Sequence, residues 1–317
     1  MNILITGANG FIGQALIENL ISTSSHMVIA LVRGTGHHFP DGIKLLQVKT
    51  IDNTTNYRDW LQGIDVIVHT AARVHRMKES RKDPLKAYRA VNTEATLNLA
   101  RQAAEAGVKR FIFISSIKVN GESTSKGHPF TYADIPKPID PYAISKYEAE
   151  KGLCELATKT NLETVILRPP LVYGPGVKAN FRKLLQIVHR GIPLPLGSVN
   201  NQRSFVYIEN FVDLIHACIE NPAAANQLFL VSDDHDVSTQ ELFRKLAGLM
   251  HRRANLIPVP TNFLIRASAL LGKQAQMSRL IGNLQIDIHH TKETLGWKPM
   301  FSFDEGLKKT VQQFLKQ

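Results

Sequence analysis

The chain has 317 residues, a formal net charge of +11 at pH 7 and an apolar fraction of 44%, which is that of a folded protein and excludes long disorder. No apolar stretch approaches the roughly 18 residues that cross a bilayer, and two cysteines are too few for a disulfide framework. This length predicts one large domain with an appendage, or two domains.

The positive net charge favours an anionic partner without naming it. The basic residues are dispersed along the chain, and no zinc-finger, RNP or homeodomain pattern occurs. We therefore expect no nucleic-acid partner but a small anionic substrate. The chain begins with the strand-like run Asn2-Ile3-Leu4-Ile5 rather than with a basic and apolar leader. We expect a cytoplasmic protein without stable membrane insertion.

Short apolar runs alternate with helical patterns as far as residue 170. Continuous apolar runs of this length are typical of parallel strands that are buried on both faces. The predicted strands are Ile3–Ile5, Val28–Val32, Leu45–Val48, Val66–His69, Phe111–Ile114 and Thr164–Leu167, and the predicted helices are Phe11–Ile21, Tyr57–Gln62, Pro84–Ala106 and Tyr142–Lys159. This alternation predicts an α/β fold, namely a Rossmann-type doubly wound parallel sheet over residues 1–170 that binds a dinucleotide.

The pattern changes after Pro169-Pro170, where helices with proline-marked entries dominate. Only Ser204–Tyr207 and Leu228–Val231 have the character of strands. We predict that residues 171–317 form a smaller, mainly α part that binds the substrate and covers the carboxyl edge of the sheet, with the chain crossing back to the sheet.

Three glycines, Gly7, Gly10 and Gly13, lie between the first predicted strand and the first predicted helix. Gly7 allows a tight turn, Gly10 lets the backbone approach a pyrophosphate, and Gly13 lets helix and strand pack closely. The helix N-terminus then offers free N–H groups and a partial positive charge to the phosphates. The motif predicts a dinucleotide site.

The end of the second strand usually selects the cofactor. An acidic residue there binds the adenosine ribose of NAD, whereas an arginine suits the 2′-phosphate of NADP. Arg33 stands at this position, so we favour NADP(H), with NAD(H) as the alternative if Arg33 only stacks on adenine. His37 and His38 follow in a loop without a ligand partner at metal-binding spacing, so we expect no metal site.

Tyr142 and Lys146 are four residues apart at the start of a predicted helix and therefore share one face. A nearby ammonium would favour the phenolate and lower the pKa of the tyrosine toward neutrality, as proton transfer requires. Ser115 and Ser116 end the strand Phe111–Ile114 at the carboxyl edge of the sheet, where open α/β folds bind ligands. The three residue types together predict a site of proton and hydride transfer.

These motifs resemble the extended short-chain dehydrogenase/reductases, in particular the nucleotide-sugar epimerase/dehydratase branch, over nearly the whole chain. The matching segments are Thr6-Gly7-x-x-Gly10-x-x-Gly13, His69-Thr70-Ala71-Ala72, Val91-Asn92-Thr93, Ser115-Ser116-x-x-Val119-x-Gly121, Tyr142-x-x-x-Lys146, Arg168-Pro169, Gln202-Arg203-Ser204-Phe205-Val206-Tyr207 and Leu295-Gly296-Trp297-Lys298-Pro299.

The resemblance implies a catalytic triad of Ser116, Tyr142 and Lys146, with Ser116 preferred to Ser115 because it stands five residues before Gly121. It implies cofactor contacts at Gly7, Asn9, Gly10, Phe11, Ile12, Gly13, Arg33, Ile51, Ala71, Ala72, Tyr142, Lys146 and Pro169. It implies substrate contacts at Arg73, Ser116, Lys118, Asn180, Arg203 and Arg279, with Arg203 and Arg279 on the diphosphate. For Asn92, satisfying backbone groups and touching the cofactor are both open.

Three positions depart from the family pattern. Lys49-Thr50 replaces a Gly-Asp pair that contacts adenine, Asn120 replaces a tyrosine, and Leu171 replaces the substrate-binding asparagine of galactose epimerases. The triplets Arg73-Val74-His75 and Ile117-Lys118-Val119 look most like enzymes that make UDP-linked N-acetylated 6-deoxysugars for bacterial surface polysaccharides.

The leading hypothesis is therefore an NAD(P)-dependent oxidoreductase that reduces the 4-keto group of a UDP-linked N-acetylated 6-deoxyhexose. The close alternative is a UDP-GlcNAc or UDP-glucose 4-epimerase with tightly bound NAD, and a remote one is a non-catalytic NAD(P) sensor on the same fold. A polyprenyl-linked sugar at the membrane is a further alternative, since Phe263–Leu271 is apolar, although core packing explains that stretch better. The family resemblance also implies a homodimer through a four-helix interface of Pro84–Ala106 and Tyr142–Lys159.

Overall fold

The computed structural model describes residues 1–35, 39–74, 83–270, 272 and 274–317. Three histidines singled out above, His37, His38 and His75, lie outside the described residues, as does Leu271 at the end of the apolar stretch. In the described part, no helix combines the length and the apolar character that crossing a membrane requires.

Seven parallel strands form the central sheet in the order β3-β2-β1-β4-β5-β6-β9. Their bounds are β1 Asn2–Thr6, β2 Met27–Arg33, β3 Lys44–Val48, β4 Val66–His69, β5 Arg110–Ile114, β6 Glu163–Arg168 and β9 Gln227–Leu230. The order reverses between β1 and β4, and such a switch point opens a crevice at the carboxyl ends of the strands. The predicted α/β fold with a doubly wound parallel sheet is confirmed.

A second, three-stranded sheet has the order β10-β8-β7. Its strands are β7 Leu171–Tyr173, β8 Arg203–Tyr207 and β10 Asp236–Val237. β8 runs parallel to β7 and antiparallel to β10. This small sheet lies in the part of the chain that follows Pro170 and carries Arg203 on its middle strand.

Helices surround both sheets. They are α1 Phe11–Thr23, α2 Arg58–Leu61, α3 Pro84–Tyr88, α4 Ala95–Glu105, α5 Pro141–Ala157, α6 Ala179–His189, α7 Ile208–Glu220, α8 Thr239–Leu249, α9 Thr261–Leu270, α10 Gln274–Ile281, α11 His289–Leu295 and α12 Phe303–Leu315. The helix predicted over Pro84–Ala106 is interrupted by a π-helical turn at Arg89–Glu94. An extra residue in that turn rotates Asn92 into the interior, where it is buried.

Alternate residues of each central strand face opposite layers of helices. Ile3 and Ile5 of β1 pack in one core cluster with residues of α1 and α7, whereas Leu4 packs in another with residues of α4 and α5. Burial of each such side chain contributes about 1.5–3 kcal/mol. The sheet is therefore a rigid platform that is covered on both faces.

Residues after 170 contribute to the large sheet as well as to the small one. Strand β9 pairs with β6, and α7 packs beside α1. In α9, Leu264 is buried, whereas Phe263 and Leu270 are 64% and 90% exposed. Core packing therefore accounts for part of that apolar stretch.

Candidate active site

The glycine loop connects β1 to α1 at the carboxyl edge of the sheet. Gly7 has φ +67°, and a Cβ atom there would lie 2.7 Å from the backbone nitrogen of Ala71. A Cβ atom at Gly13 would lie 2.5 Å from the carbonyl oxygen of Gly7. Larger residues therefore cannot occupy either position without a shift of the backbone. The loop and the N-terminus of α1 form a cradle that fits the phosphates of a dinucleotide.

The residues around this cradle come from the neighbouring strand ends. Thr70 follows β4 directly, and Ala71 and Ala72 come after it and are half-buried. Thr70 Oγ1 donates to the carbonyl oxygen of Thr6 at 2.7 Å, which connects the two loops. Arg33 is exposed at the end of β2. Ile51 follows β3 and packs against the core on the α4 side. Asn9, Phe11 and Ile12 lie in the cradle and the first turn of α1.

Tyr142 and Lys146 lie on one face of α5, and Ser116 lies close enough to the Tyr142 phenol to lower its pKa. Ser116 lies two residues after the end of β5 and caps the short 3-10 helix Ile117–Val119, so the carboxyl edge of the sheet sets its position. The structure thus brings together the three residues predicted to be catalytic.

The electrostatics differ from the sequence-based expectation. Burial, followed by the negative charge of Asp140, raises the pKa of Tyr142 above its ordinary value, and Ser116 offsets this only in part. Burial also lowers the pKa of Lys146 to about 7. Lys146 Nζ donates to the Ile114 carbonyl at 2.7 Å and lies 4.4 Å from the centre of the Phe113 ring. The lowering of the Tyr142 pKa expected from Lys146 is therefore not found in this structure, because burial and Asp140 dominate the shift and raise the pKa.

A buried hydrogen-bond network lies directly behind the triad. Arg168 donates to both oxygens of Glu150, at 3.0 and 2.5 Å, and both side chains are 3% exposed. Ser115 donates to Glu150, and Arg168 also donates to Asn120 Oδ1 at 2.9 Å. Ser115 is thus occupied in the interior while its neighbour Ser116 faces Tyr142, which supports the choice of Ser116. Asn120, which replaces the family's tyrosine, is part of this network.

Asn92 fixes the loop that follows β4. Its side chain accepts from the Arg73 backbone nitrogen at 2.8 Å and donates to the Arg73 carbonyl at 3.1 Å and to Ser145 Oγ at 3.0 Å. Of the two roles left open, the structure shows the one that satisfies backbone groups. The Arg73 guanidinium lies 5.6 Å from the centre of the Tyr88 ring, and Tyr88 packs edge-on against Tyr142 at 6.0 Å. Sequence analysis missed Tyr88, for which no local motif existed.

Three of the predicted substrate residues meet at a cluster of opposite charges. Lys118 Nζ pairs with Glu122 at 3.1 Å and with Asp140, and Arg279 lies 3.5 Å from Glu122 and 3.9 Å from Asp140. Arg203 donates to the Gly282 carbonyl at 2.9 Å. Burial lowers the pKa of Arg203 to about 10, with opposing effects of Glu122 and Arg279. We call Lys118, Arg203, Arg279, Glu122 and Asp140 the charge cluster; its three cations exceed its two anions.

Two further predicted residues lie near these elements. Pro169 is buried after β6, and its carbonyl accepts from the backbone nitrogen of Ile117 at 3.0 Å. Asn180 is exposed in the first turn of α6. Glu122 and Asp140 were missed by the sequence analysis. Asp140 could have been found, because an aspartate two residues before Tyr142 is a typical N-cap for the helix predicted there.

Comparisons with known proteins show which family this chain resembles in sequence and fold. Residues 3–231 match the family described as NAD dependent epimerase/dehydratase. A UDP-glucose 4-epimerase of Vibrio cholerae is 50% identical over 316 residues, covering 99% of this chain and 96% of that protein. An N-acetyl-alpha-D-glucosaminyl-diphospho-ditrans,octacis-undecaprenol 4-epimerase of Escherichia coli O157:H7 is 26% identical over 328 residues, covering 98% and 94%.

Among solved structures, that of UDP-glucuronic acid 4-epimerase from Bacillus cereus in complex with NAD is similar, with a TM-score of 0.80 at 22% identity, covering 100% of this chain and 99% of that one. The predicted enzyme class is confirmed, and a nicotinamide dinucleotide is its cofactor. The preference for NADP(H) inferred from Arg33 gains no support, since the family and this structure are described with NAD. The chain belongs to the NAD dependent epimerase/dehydratase family, and it is an enzyme of the extended short-chain dehydrogenase/reductase type.

Proposed function

We propose that the protein is a UDP-hexose 4-epimerase that retains NAD and acts on UDP-glucose or UDP-N-acetylglucosamine. The observation that carries the proposal is the placement of Ser116 beside the Tyr142 phenol, with Lys146 one helical turn away, at the carboxyl edge of the sheet and beside the glycine cradle. The 50% identity to the Vibrio cholerae UDP-glucose 4-epimerase over nearly the whole chain supports the choice of this reaction above reduction.

The residues proposed to hold the dinucleotide extend from the glycine cradle to the catalytic triad. Gly7 to Gly13 would bind the pyrophosphate, Arg33 and Ile51 the adenosine, and Ala71, Ala72, Lys146 and Pro169 the nicotinamide side. When bound, the dinucleotide supplies first the acceptor and then the donor of the C4 hydride. Small side chains at Ala71 and Ala72 leave room for it beside β4.

Tyr142 would move the proton at O4. In its phenolate form, Tyr142 would take the C4 hydroxyl proton when the C4 hydrogen is removed as hydride, and the resulting phenol would return the proton after the 4-keto sugar has turned its other face. Ser116 would hydrogen-bond the same oxygen and stabilise its developing negative charge. Because burial keeps the phenol protonated, removal of its proton requires positive charge nearby, from Lys146 and an oxidised nicotinamide.

The charge cluster would bind the diphosphate of the UDP-sugar. Arg203 and Arg279 can each offer paired N–H donors to phosphate oxygens. Glu122 and Asp140 hold Lys118 and Arg279 in place. The diphosphate would replace these carboxylates as the partner of the two cations when the UDP-sugar binds. Arg73, Lys118 and Asn180 remain proposed substrate contacts, and the homodimer through α3, α4 and α5 remains a proposal.

The second candidate function is reduction of a 4-keto sugar with NADPH. Two observations favour it: the exposed Arg33 at the end of β2, and Leu171, 41% exposed, at the position of the substrate-binding asparagine of galactose epimerases. The N-acetylated 6-deoxy substrate of the leading sequence hypothesis belongs to this candidate.

The experiment that separates the two candidates uses purified protein without added cofactor. Conversion of UDP-glucose or UDP-N-acetylglucosamine to its 4-epimer, followed by NMR, supports the epimerase, and NAD released on denaturation should accompany it. Stoichiometric consumption of NADPH with a UDP-linked 4-keto-6-deoxy-N-acetylhexosamine, without any epimer formation, would overturn it. A parallel assay with a polyprenyl-diphosphate-linked N-acetylglucosamine tests the substrate named for the Escherichia coli relative.

A further inference from the structure

A group of ligating side chains lies at the edge of the sheet opposite to the candidate active site. His26 directly precedes β2, and His216 and Glu220 lie in the last two turns of α7. One ligand atom from each of the three side chains lies within 4.8 Å of the other two. His26 Nε2 is 3.1 Å and His216 Nε2 is 3.5 Å from Glu220 Oε1.

The packing of the fold creates this group. His216 and Glu220 are four residues apart and share one face of α7. Because α7 packs beside α1, that face reaches the turn between α1 and β2, where His26 lies. Both histidine side chains are mostly covered, at 12% and 16% exposure, whereas Glu220 is 55% exposed.

The hydrogen bonds around His216 leave one ring nitrogen available as a ligand. Thr23 Oγ1 donates to the Asn19 carbonyl at 2.7 Å, so its oxygen can accept from His216 Nδ1 at 3.4 Å. This arrangement places the ring hydrogen on Nδ1 and a lone pair on Nε2. His216 Nε2 is buried, has no hydrogen-bond partner among the described residues, and faces the carboxylate of Glu220. Two acceptors that face each other repel unless a cation lies between them, and either a proton on His216 Nε2 or a metal ion can be that cation.

We propose that His26, His216 and Glu220 form a binding site for a divalent transition-metal ion of the Zn²⁺ class. Zinc bonds of about 2.0–2.1 Å in a tetrahedron separate neighbouring ligand atoms by about 3.3 Å, and the two distances to Glu220 Oε1 lie on either side of that value. Two imidazoles and one carboxylate suit Zn²⁺, Ni²⁺ or Cu²⁺ and not Mg²⁺ or Ca²⁺, which prefer oxygen ligands. Water would fill the fourth position. Thr23 orients His216 from behind, as the outer partners of metal-binding histidines do.

The site would fasten two distant parts of the chain. The ion would connect the turn before β2 with the end of α7, at the amino edge of the sheet and away from Tyr142. An ion that binds the folded chain and not the unfolded one raises thermal stability. For a chain of this length, a concentration one hundred times the dissociation constant should raise Tm by about 4 °C.

The test is calorimetric titration of the full-length, tag-free protein with Zn²⁺, with Mg²⁺ as the comparison ion. We expect a site that takes up one Zn²⁺ per chain and raises Tm, and that is lost in His26→Ala and in His216→Ala. His289→Ala is the matched control, because His289 and Glu293 form an exposed pair with two ligands only, 3.0 Å apart. That variant should keep the site.

Glu220→Gln is the variant that keeps the size of the side chain and its ability to hydrogen-bond. It should bind Zn²⁺ at least tenfold more weakly while its circular dichroism and its enzymatic activity stay unchanged. An unaltered Zn²⁺ titration in His26→Ala or His216→Ala, a Tm that does not respond to Zn²⁺, or an equal response to Mg²⁺ would each overturn the proposal.

Discussion

The two halves of the candidate active site are held by different kinds of interaction. Behind the triad, Glu150 and Arg168 form an ion pair that is almost completely buried, and they hold Ser115 and Asn120 by further hydrogen bonds. In the charge cluster, the ion pairs of Lys118 and Arg279 are between about a quarter and two-fifths exposed. A buried pair cannot exchange partners without a large cost, whereas a partly hydrated pair can.

This difference matches the tasks that we propose for the two halves. Proton transfer requires fixed positions for Tyr142 and Ser116, and the buried network holds Ser115, the chain neighbour of Ser116, and Glu150, which lies on the helix of Tyr142. Binding and release of a diphosphate require cationic side chains that can exchange a carboxylate partner for a phosphate partner. The partly exposed cations of the charge cluster can do this. Asp140 belongs to both halves, because it pairs with Lys118 and also raises the pKa of Tyr142.

The largest effect is expected from Tyr142→Phe, which removes the proposed proton carrier and leaves the ring. The rate of 4-epimerisation should fall by about 10²- to 10⁴-fold, the usual contribution of general acid–base catalysis. Tyr147→Phe, on the same helix, is the matched control and should retain turnover. Equal rates for wild type and Tyr142→Phe under saturating substrate would remove Tyr142 from the chemistry.

Glu150→Gln tests the buried network behind the triad. The substitution keeps the shape but leaves the Arg168 guanidinium buried without its counter-ion, which costs about 3–5 kcal/mol of unfolding free energy. Denaturant unfolding measures this loss. Glu148, on the same helix as Glu150, pairs with Arg89 in the π-helical turn, and this pair is more exposed than that of Glu150 with Arg168. Glu148→Gln should therefore cost much less unfolding free energy, since water screens that pair. Similar losses in the two variants would contradict the contrast.

Local sequence patterns predicted the strands of the central sheet and the face that Tyr142 and Lys146 share. Apolar runs such as Ile3–Ile5 predict buried parallel strands, and the spacing of Tyr142 and Lys146 on one helix face follows from helix geometry. Both features depend on neighbours in sequence, and the fold class is confirmed.

The missed features depend on tertiary packing. Lys118 meets Asp140, and Tyr88 meets Tyr142, only after the chain has folded, so no spacing indicates them. The π-helical turn at Arg89–Glu94 was missed because its sequence also suits an α-helix. His26 and His216 lie 190 positions apart in the sequence, on elements that meet only through the packing of α1 on α7.

Arg203→Met tests the other half, the charge cluster. We expect KM for the UDP-sugar to rise about 10- to 100-fold, because a charged hydrogen bond to phosphate is lost, while kcat changes less. Arg244→Met is the control, since Arg244 is exposed on α8. Steady-state kinetics at two salt concentrations measure the effect; a fall in kcat at constant KM would contradict the assignment.

Lys146→Met tests whether burial lowers the pKa of Lys146 in the catalytic half of the site, through the pH dependence of stability. The pKa of Lys146 is about 7 in the folded chain and 10.5 for the ordinary side chain. Between these values the unfolded chain binds more protons, so this lysine makes the stability of the wild type rise with pH. The unfolding free energy of Lys146→Met minus that of the wild type should therefore fall by about 1 kcal/mol per pH unit between pH 7.5 and 9.5.

The control for this measurement is Lys151→Met, because Lys151 is exposed on the same helix. Its difference from the wild type should stay constant over the same pH range. A Lys146→Met difference that is equally constant would mean that Lys146 keeps an ordinary pKa in the folded chain.

Asp140→Asn should have the smallest effect and tests the residue that joins the two halves. Asparagine keeps the cap on α5, where Asp140 accepts from the Ala143 nitrogen at 2.7 Å, but it removes a negative charge that raises the pKa of Tyr142. The acid limb of kcat/KM should therefore move toward lower pH by about half a unit. Asp134→Asn, at an aspartate that accepts from the Thr131 nitrogen at 2.8 Å, is the control and should leave the limb in place. An acid limb of Asp140→Asn that stays at its wild-type position, or that moves toward higher pH, would show that the carboxylate of Asp140 does not raise the pKa of Tyr142.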